Sequence, residues 1–164
     1  MIDWNKLLNF FIRFRSKISG VSNSMQPCHL LLEPKIDWSI LSDSFGKFIK
    51  CYDDGPHFKR YIMRCKYCGQ LYFHQFVEFI DWEDGNDPTY ETWVPIKNEA
   101  EGDILDQRKY DDISDNFFSI HYNWGWGVIE KPKYAFLSYD PIGENKKYLT
   151  ANCSALDIYN DSIL

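Results

Sequence analysis

The stretch from Phe58 to Ile96, FKRYIMRCKYCGQLYFHQFVEFIDWEDGNDPTYETWVPI, decides the fold of this 164-residue chain. FKRYIMRC (58–65) reads as a strand, and CKYCG (65–69) has the composition of a tight turn. QLYFHQFVEFIDW (70–82) alternates roughly between apolar and polar residues and reads as a long second strand. EDGNDP (83–88) supplies the next turn, and TYETWVPI (89–96) a third strand closed by Pro95. Short turns between such runs imply antiparallel pairing.

Upstream of this meander the period changes. Asp3 is a plausible N-cap, and Trp4, Leu7, Leu8, Phe11 and Phe14 follow at helical spacing, predicting an amphipathic helix over 4–17. SGVSNSMQP (19–27) is a loop by composition, and HLLLEP (29–34) a short strand. Asp37 begins a second predicted helix whose apolar face is Trp38, Ile40, Leu41, Phe45 and Phe48, ending near Lys50 before the DDGP turn (53–56). Downstream, KNEAEGDILDQRKYDDISD (97–115) is polar, with room for a short helix inside a loop. FFSIHYNWGWGVIE and KYAFLSYD (117–130, 133–140) form a further hairpin-like pair. No internal repeat or long linker divides the chain. The expected fold is a single α+β domain over 1–164, with N-terminal helices packed on an antiparallel meander of about five strands.

Composition narrows the functional classes. The apolar and charged fractions, 45% and 26%, belong to a soluble globular protein. Aromatic residues reach 18%, and Tyr and Trp are favoured where proteins meet other proteins. No apolar run approaches the roughly 20 residues that span a bilayer. The N-terminal MIDWNKLLNFFIRFR lacks the order of a secretory signal, because Asp3 precedes its apolar stretch and Arg13 and Arg15 interrupt it. A cytoplasmic location is expected. Five cysteines, odd in number and irregularly spaced, suit reduced thiols or a metal site better than a disulfide framework.

Charge is distributed unevenly. Residues 1–77 carry eleven Lys/Arg against six Asp/Glu, residues 78–115 three against thirteen, and residues 116–164 four against five. The middle segment, at −10, is unsuited to phosphate backbones and suited to a basic partner, a cation or simple solvation. Within it Glu78, Asp81, Glu83, Asp84, Asp87 and Glu91 fall inside fourteen residues, flanked by Trp82, Tyr90 and Trp93. An EF-hand register fails here, and paired carboxylates for acid–base work would need a cleft that sequence does not show. Carboxylates that steer a cationic protein, with large rings as anchors, account for more of the pattern. These nine residues are therefore the candidate partner-binding surface. In a half-buried sheet the same rings would simply face the core.

Cys65-x-x-Cys68-Gly69 has the shape of a zinc knuckle, in which two thiolates take two corners of a tetrahedron. Cys51 and His57 are the nearest upstream candidates to complete a structural zinc site. His74 lies downstream, and Cys28-His29 would have to arrive by folding. A thioredoxin-like redox pair and two ordinary buried thiols are the competing readings. No phosphate-binding glycine loop, nucleophile elbow or His-Glu-x-x-His helix is present, and no catalytic residue is assigned.

The run 51–96 resembles small bacterial immunity-type proteins of contact-dependent growth inhibition and polymorphic toxin systems. The likeness rests on Asp-Gly-Pro-His (54–57), Cys-x-x-Cys-Gly-Gln (65–70), Tyr-Phe (72–73) and the string Glu78, Asp81-Trp82, Gly85, Asp87-Pro88, Tyr90 ending at Pro95. It covers about a quarter of the chain. The resemblance implies a cytoplasmic, non-enzymatic antidote that binds a cognate protein toxin, many such toxins being basic nucleases. The alternatives are a zinc- or carboxylate-dependent hydrolase, and a zinc-ribbon protein that meets nucleic acid through its basic first 77 residues.

Overall fold

A computed structural model describes residues 27–32, 35–83, 85, 87–124, 132–137 and 154. Among these, seven strands form one antiparallel sheet: β1 (Lys35–Asp37), β2 (Phe45–Asp54), β3 (Phe58–Cys65), β4 (Leu71–Glu78), β5 (Thr89–Ile96), β6 (Ile120–Trp124) and β7 (Tyr134–Leu137). Their spatial order is β1-β7-β6-β5-β4-β3-β2. The sheet is thus a meander from β2 to β7, with β1 added beyond β7. A 3-10 turn (His29–Leu31) precedes β1, α1 (Trp38–Ser44) joins β1 to β2 across the sheet, and α2 (Glu99–Asp106) and α3 (Tyr110–Asn116) sit between β5 and β6.

The α+β class holds, but sheet dominates: seven strands replace the expected five, and the described helices are not gathered at the N-terminus. The helix expected over 4–17 lies outside the described residues. HLLLEP forms a 3-10 turn over its first three residues instead of a strand. Asp37 does cap α1, its carboxylate accepting from Ser39 N–H at 2.8 Å. That helix stops at Ser44 instead of running to Lys50, however. Gly46 is a poor helix residue, and Phe45 finds a ladder partner in Cys65 on β3. β2 therefore begins where helical spacing seemed to continue. As an edge strand it carries three register irregularities, which blunt an otherwise open edge.

Pairing fixes the two faces. β4 runs against β3 through Tyr61↔His74 and Met63↔Tyr72, and against β5 through His74↔Trp93 and Phe73↔Val94. Alternate residues point to opposite sides, so Met63, Tyr72, His74, Trp93 and Tyr122 share one face. On that face Trp38 of α1 stacks on Tyr122 at 4.0 Å between centroids, and Phe45 meets Tyr72 edge-on at 5.2 Å. The other face carries Ile62, Phe73, Gln75 and Val94, and is covered by α2 and α3. Both faces of β4 are buried from Leu71 to Gln75, which is why its pattern alternates only loosely.

Two features seat the α2–α3 layer. Asn98 caps α2 by accepting from Glu101 N–H, while Glu101 reaches back to Lys97 N–H at 2.8 Å, a reciprocal arrangement close to a capping box. Gly102 lets the helix approach the sheet: a Cβ there would sit 2.6 Å from Ile62 Cδ1. Arg60, buried on β3, donates to the carbonyls of Asp106 (2.6 Å) and Arg108 (2.8 Å) and to Gln75 Oε1 (2.8 Å), satisfying carbonyls at the end of α2. Among the described residues no helix is long and apolar enough to cross a membrane.

Candidate functional site

The connection from β4 to β5 lies at one end of the sheet and carries most of the acidic cluster. Asp81 and Asp87 shape it. Asp87 accepts from Asp81 N–H at 2.7 Å, Asp81 accepts from Glu83 N–H at 3.0 Å, and Gly85 N–H returns to Asp81 O at 2.9 Å. Gly85 has φ +66, a left-handed conformation that side chains disfavour. Such Asx contacts hold a polar loop without help from a core. Glu78 meets His57 Nδ1 at 2.8 Å, and Glu91 meets His74 Nε2 at 3.0 Å. These four carboxylates are thus engaged by backbone N–H groups or histidines.

The expected surface residues divide. Trp82 is 90% exposed and Glu83 is exposed beside it, while Asp84 lies outside the described residues. Tyr90 is 37% exposed. Trp93 is different: it is 3% exposed and packs on Trp38, Phe45 and His74, so it belongs to the core and not to a contact surface. Glu91 shares that face of β5, opposite to the face of Tyr90. The register explains this, since residues two apart on a strand share a side.

Two residues that sequence reasoning missed join Tyr90. Phe79 meets Tyr90 edge-on at 5.7 Å and Tyr110 of α3 at 5.4 Å, and all three rings are more than a third exposed. Phe79 fell inside the run read as strand over 70–82, and only the end of β4 at Glu78 places it in the loop. Tyr110 is 31 residues further along, and no local signal placed it here; Gln75 Nε2 donates to its carbonyl at 3.0 Å and fixes the start of α3 over β4. The exposed carboxylates of Asp111 and Asp115 follow on the same helix.

The opposite end of the sheet holds the thiols. Cys65 ends β3, Cys68 lies in the turn to β4, and Gly69 has φ +81. Cys28 and His29 arrive from the 3-10 turn. The ligand atoms of Cys28, His29 and Cys65 all lie within 4.8 Å of one another, so this trio could hold a metal. The expected partners Cys51 and His57 do not join it. Cys51 pairs with Tyr61 on the edge strand and His57 lies beyond the far end of β3. At about 3.3 Å per strand residue these sites are roughly 13 and 26 Å from Cys65. His74 is likewise held elsewhere, by Glu91.

The thiols share hydrogen bonds. Cys65 is drawn down to about 5 by the Cys28 thiol and, further, by the N–H groups of Cys68 and Tyr67, against the opposing effect of burial. Cys28 is pushed up, first by donating to Cys65 and then by burial, and burial raises Cys68 as well. Tyr72, fully buried against this cluster, is pushed up first by burial and then by the neighbouring Cys28 sulfur. A cleft of about 880 Å³ opens beside the cluster, bordered by His29, Tyr67, Cys68, Ile40 and Asp43. Chemically, one end of the molecule offers rings and carboxylates for a surface contact, and the other offers soft metal ligands. No protein-family model, curated protein or solved structure matches the chain.

Proposed function

We propose that this chain is a non-catalytic immunity protein that binds a basic protein toxin and blocks it, using the β4–β5 loop and the adjoining start of α3. The observation that carries the reading is Trp82, 90% exposed within a loop otherwise tied down by its own carboxylates. Large rings exposed together at one end of a sheet, unlike a ring exposed singly, mark an interaction surface. Phe79, Tyr90 and Tyr110 extend the apolar surface at that end of the sheet, and the −10 balance of residues 78–115 favours a cationic occupant. Rings at the centre would supply desolvated anchors, while Glu83, Asp111 and Asp115 would steer the approach. The resemblance of 51–96 to toxin-system immunity proteins gives the occupant its class, and the cytoplasm is where such an antidote acts. The ion we assign to the thiol cluster is structural zinc, because thiolate donors favour it over hard cations.

The test is binding to the product of the immediately adjacent gene, which this reading expects to encode a basic toxin domain. Trp82→Ala together with Glu83→Lys is expected to weaken the complex by at least about 30-fold, mostly through faster dissociation with a salt-dependent loss in association rate. Unchanged affinity in a folded double variant would remove this surface from the proposal.

A further inference from the structure

We propose that Cys28, His29, Cys65 and Cys68 together form a four-ligand zinc site that fastens the 3-10 turn to the β3–β4 hairpin. The inference deepens the structural-ion part of the proposed function and stands independently of the docking surface.

Three observations converge on it. The first is the position of the donors. Cys28 Sγ and His29 Nδ1 are 3.9 Å apart, and Cys65 lies within 4.8 Å of both. Bond lengths of about 2.3 Å to sulfur and 2.0 Å to nitrogen give tetrahedral edges of about 3.6–3.8 Å. The Cys28–His29 edge is already near that length, and a contraction of at most about 1 Å on the edges to Cys65 closes the trio on an ion. Cys68 lies outside that trio, in the exposed turn, but within hydrogen-bonding reach of Cys28 and Cys65, and is the proposed fourth donor.

The second is the tautomer of His29. The Ser44 hydroxyl donates to Ile40 O at 2.6 Å, so toward His29 Nε2, 3.1 Å away, it can only accept. His29 therefore carries its proton on Nε2, and the Nδ1 lone pair is left facing Cys28. A ligating histidine whose other nitrogen donates to a fixed acceptor is the usual second-shell arrangement at zinc.

The third is the set of donors aimed at sulfur. Cys65 accepts from the N–H groups of Tyr67 and Cys68, Cys68 from Gln70 and Cys28 from Leu30. Four backbone N–H groups on three sulfurs suit thiolates held by a cation, with Cys28 and Cys65 buried and Cys68 on the exposed side of the cluster. The buried Tyr72 hydroxyl lies beside the Cys28 sulfur and is placed to donate to it as a metal-bound thiolate. Four protein ligands close the coordination sphere, so the ion has a structural role.

The test uses the full chain purified under reducing conditions with added zinc. One equivalent of zinc is expected, and cobalt substitution should give the intense visible absorption of a tetrahedral thiolate site. His29→Ala and Cys68→Ser are expected to weaken zinc binding by more than about 100-fold, beyond the 10–100-fold typical of second-shell losses, and Tyr72→Phe by about tenfold. Cys51→Ser and His57→Ala should leave zinc content unchanged. Because ligand variants can fail to fold, thiol reactivity is followed on the unaltered chain. Cys51 should react at once, and Cys28, Cys65 and Cys68 only after chelation. Zinc-free protein whose three cluster thiols ignore the chelator, or zinc retained at full affinity by both His29→Ala and Cys68→Ser, would overturn the site. Neither result would bear on binding through Trp82.

Discussion

Replacing Arg60 with Met tests how the α2–α3 layer is held, and with it one wall of the proposed docking surface. The side chain is 7% exposed and lies between β4 and the end of α2. It donates twice to Gln75 Oε1, at 3.2 and 2.8 Å, and once each to the carbonyls of Asp106 and Arg108. Met keeps most of the volume, so the cavity contribution is small. What is lost is a set of charge-assisted bonds, each contributing about 1.5–3 kcal/mol before compensation. The side chains of Asp106 and Arg108 are about a quarter and more than a third exposed, so the end of α2 lies at the surface, where water is the expected replacement partner for the two carbonyls. It cannot reach Gln75, which is 1% exposed and keeps an unpartnered amide oxygen. Relief of the buried guanidinium's desolvation, which already lowers its affinity for a proton, offsets part of the loss. The net expectation is a destabilisation of about 3 kcal/mol, or roughly 6–12 °C in Tm for a domain of this size. Urea unfolding with an unchanged m-value is the assay, paired with hydrogen exchange across α2 and α3. A loss below about 1 kcal/mol would mean that the network does not hold these helices, and the reasoning would fail.

Two further outcomes follow from packing and burial. Gly102→Ala should destabilise by about 1 kcal/mol although alanine is the better helix former, because its Cβ would meet Ile62 Cδ1 at 2.6 Å and Tyr52 Oη at 2.8 Å in a filled core; chemical denaturation that shows a gain would contradict the close approach. Burial lowers the pKa of His121 in the folded chain, with Asp115 opposing weakly, and Ser119 and Thr92 are its hydroxyl partners. The unfolded chain therefore takes up a proton first, and stability present above the ordinary histidine value of about 6.5 is lost as pH falls through it. His121→Gln should flatten that acid-side decline in unfolding free energy, and an identical pH profile would count against it.

How much of this was legible in the sequence depended on whether the deciding contact was local. β3 and β5 stood out because their own residues favour strand and their turns are explicit in CKYCG and EDGNDP. β1, three residues long, has no pattern of its own and forms because β7 offers an edge, with Ile36 opposite Ala135. Phe45 and Phe48 continued the helical spacing of α1, yet Gly46 and pairing with β3 turned them into strand. The thiol site shows the same division. The Cys65-Cys68 knuckle was visible, but sequence proximity favoured Cys51 and His57, and an extended strand carries near neighbours far away. Cys28 and His29 meet Cys65 through packing of the 3-10 turn on the end of α1, where His29 contacts Ser44 and Phe45 pairs with Cys65. Trp93 lay in the acidic segment, but its parity with Glu91 placed it toward α1 and the core. Tyr110 entered the candidate surface through Gln75, a contact across 35 residues.

The most direct test of the proposed function is titration of the adjacent gene's product, expected to be a basic toxin domain, against the unaltered chain and the Trp82→Ala, Glu83→Lys variant, with both first shown to unfold at the same temperature. The account predicts tight, salt-sensitive binding that weakens by at least about 30-fold in the variant. Equal affinity for the two proteins, or a partner whose protection maps to the thiol end and leaves Trp82 in water, would contradict it.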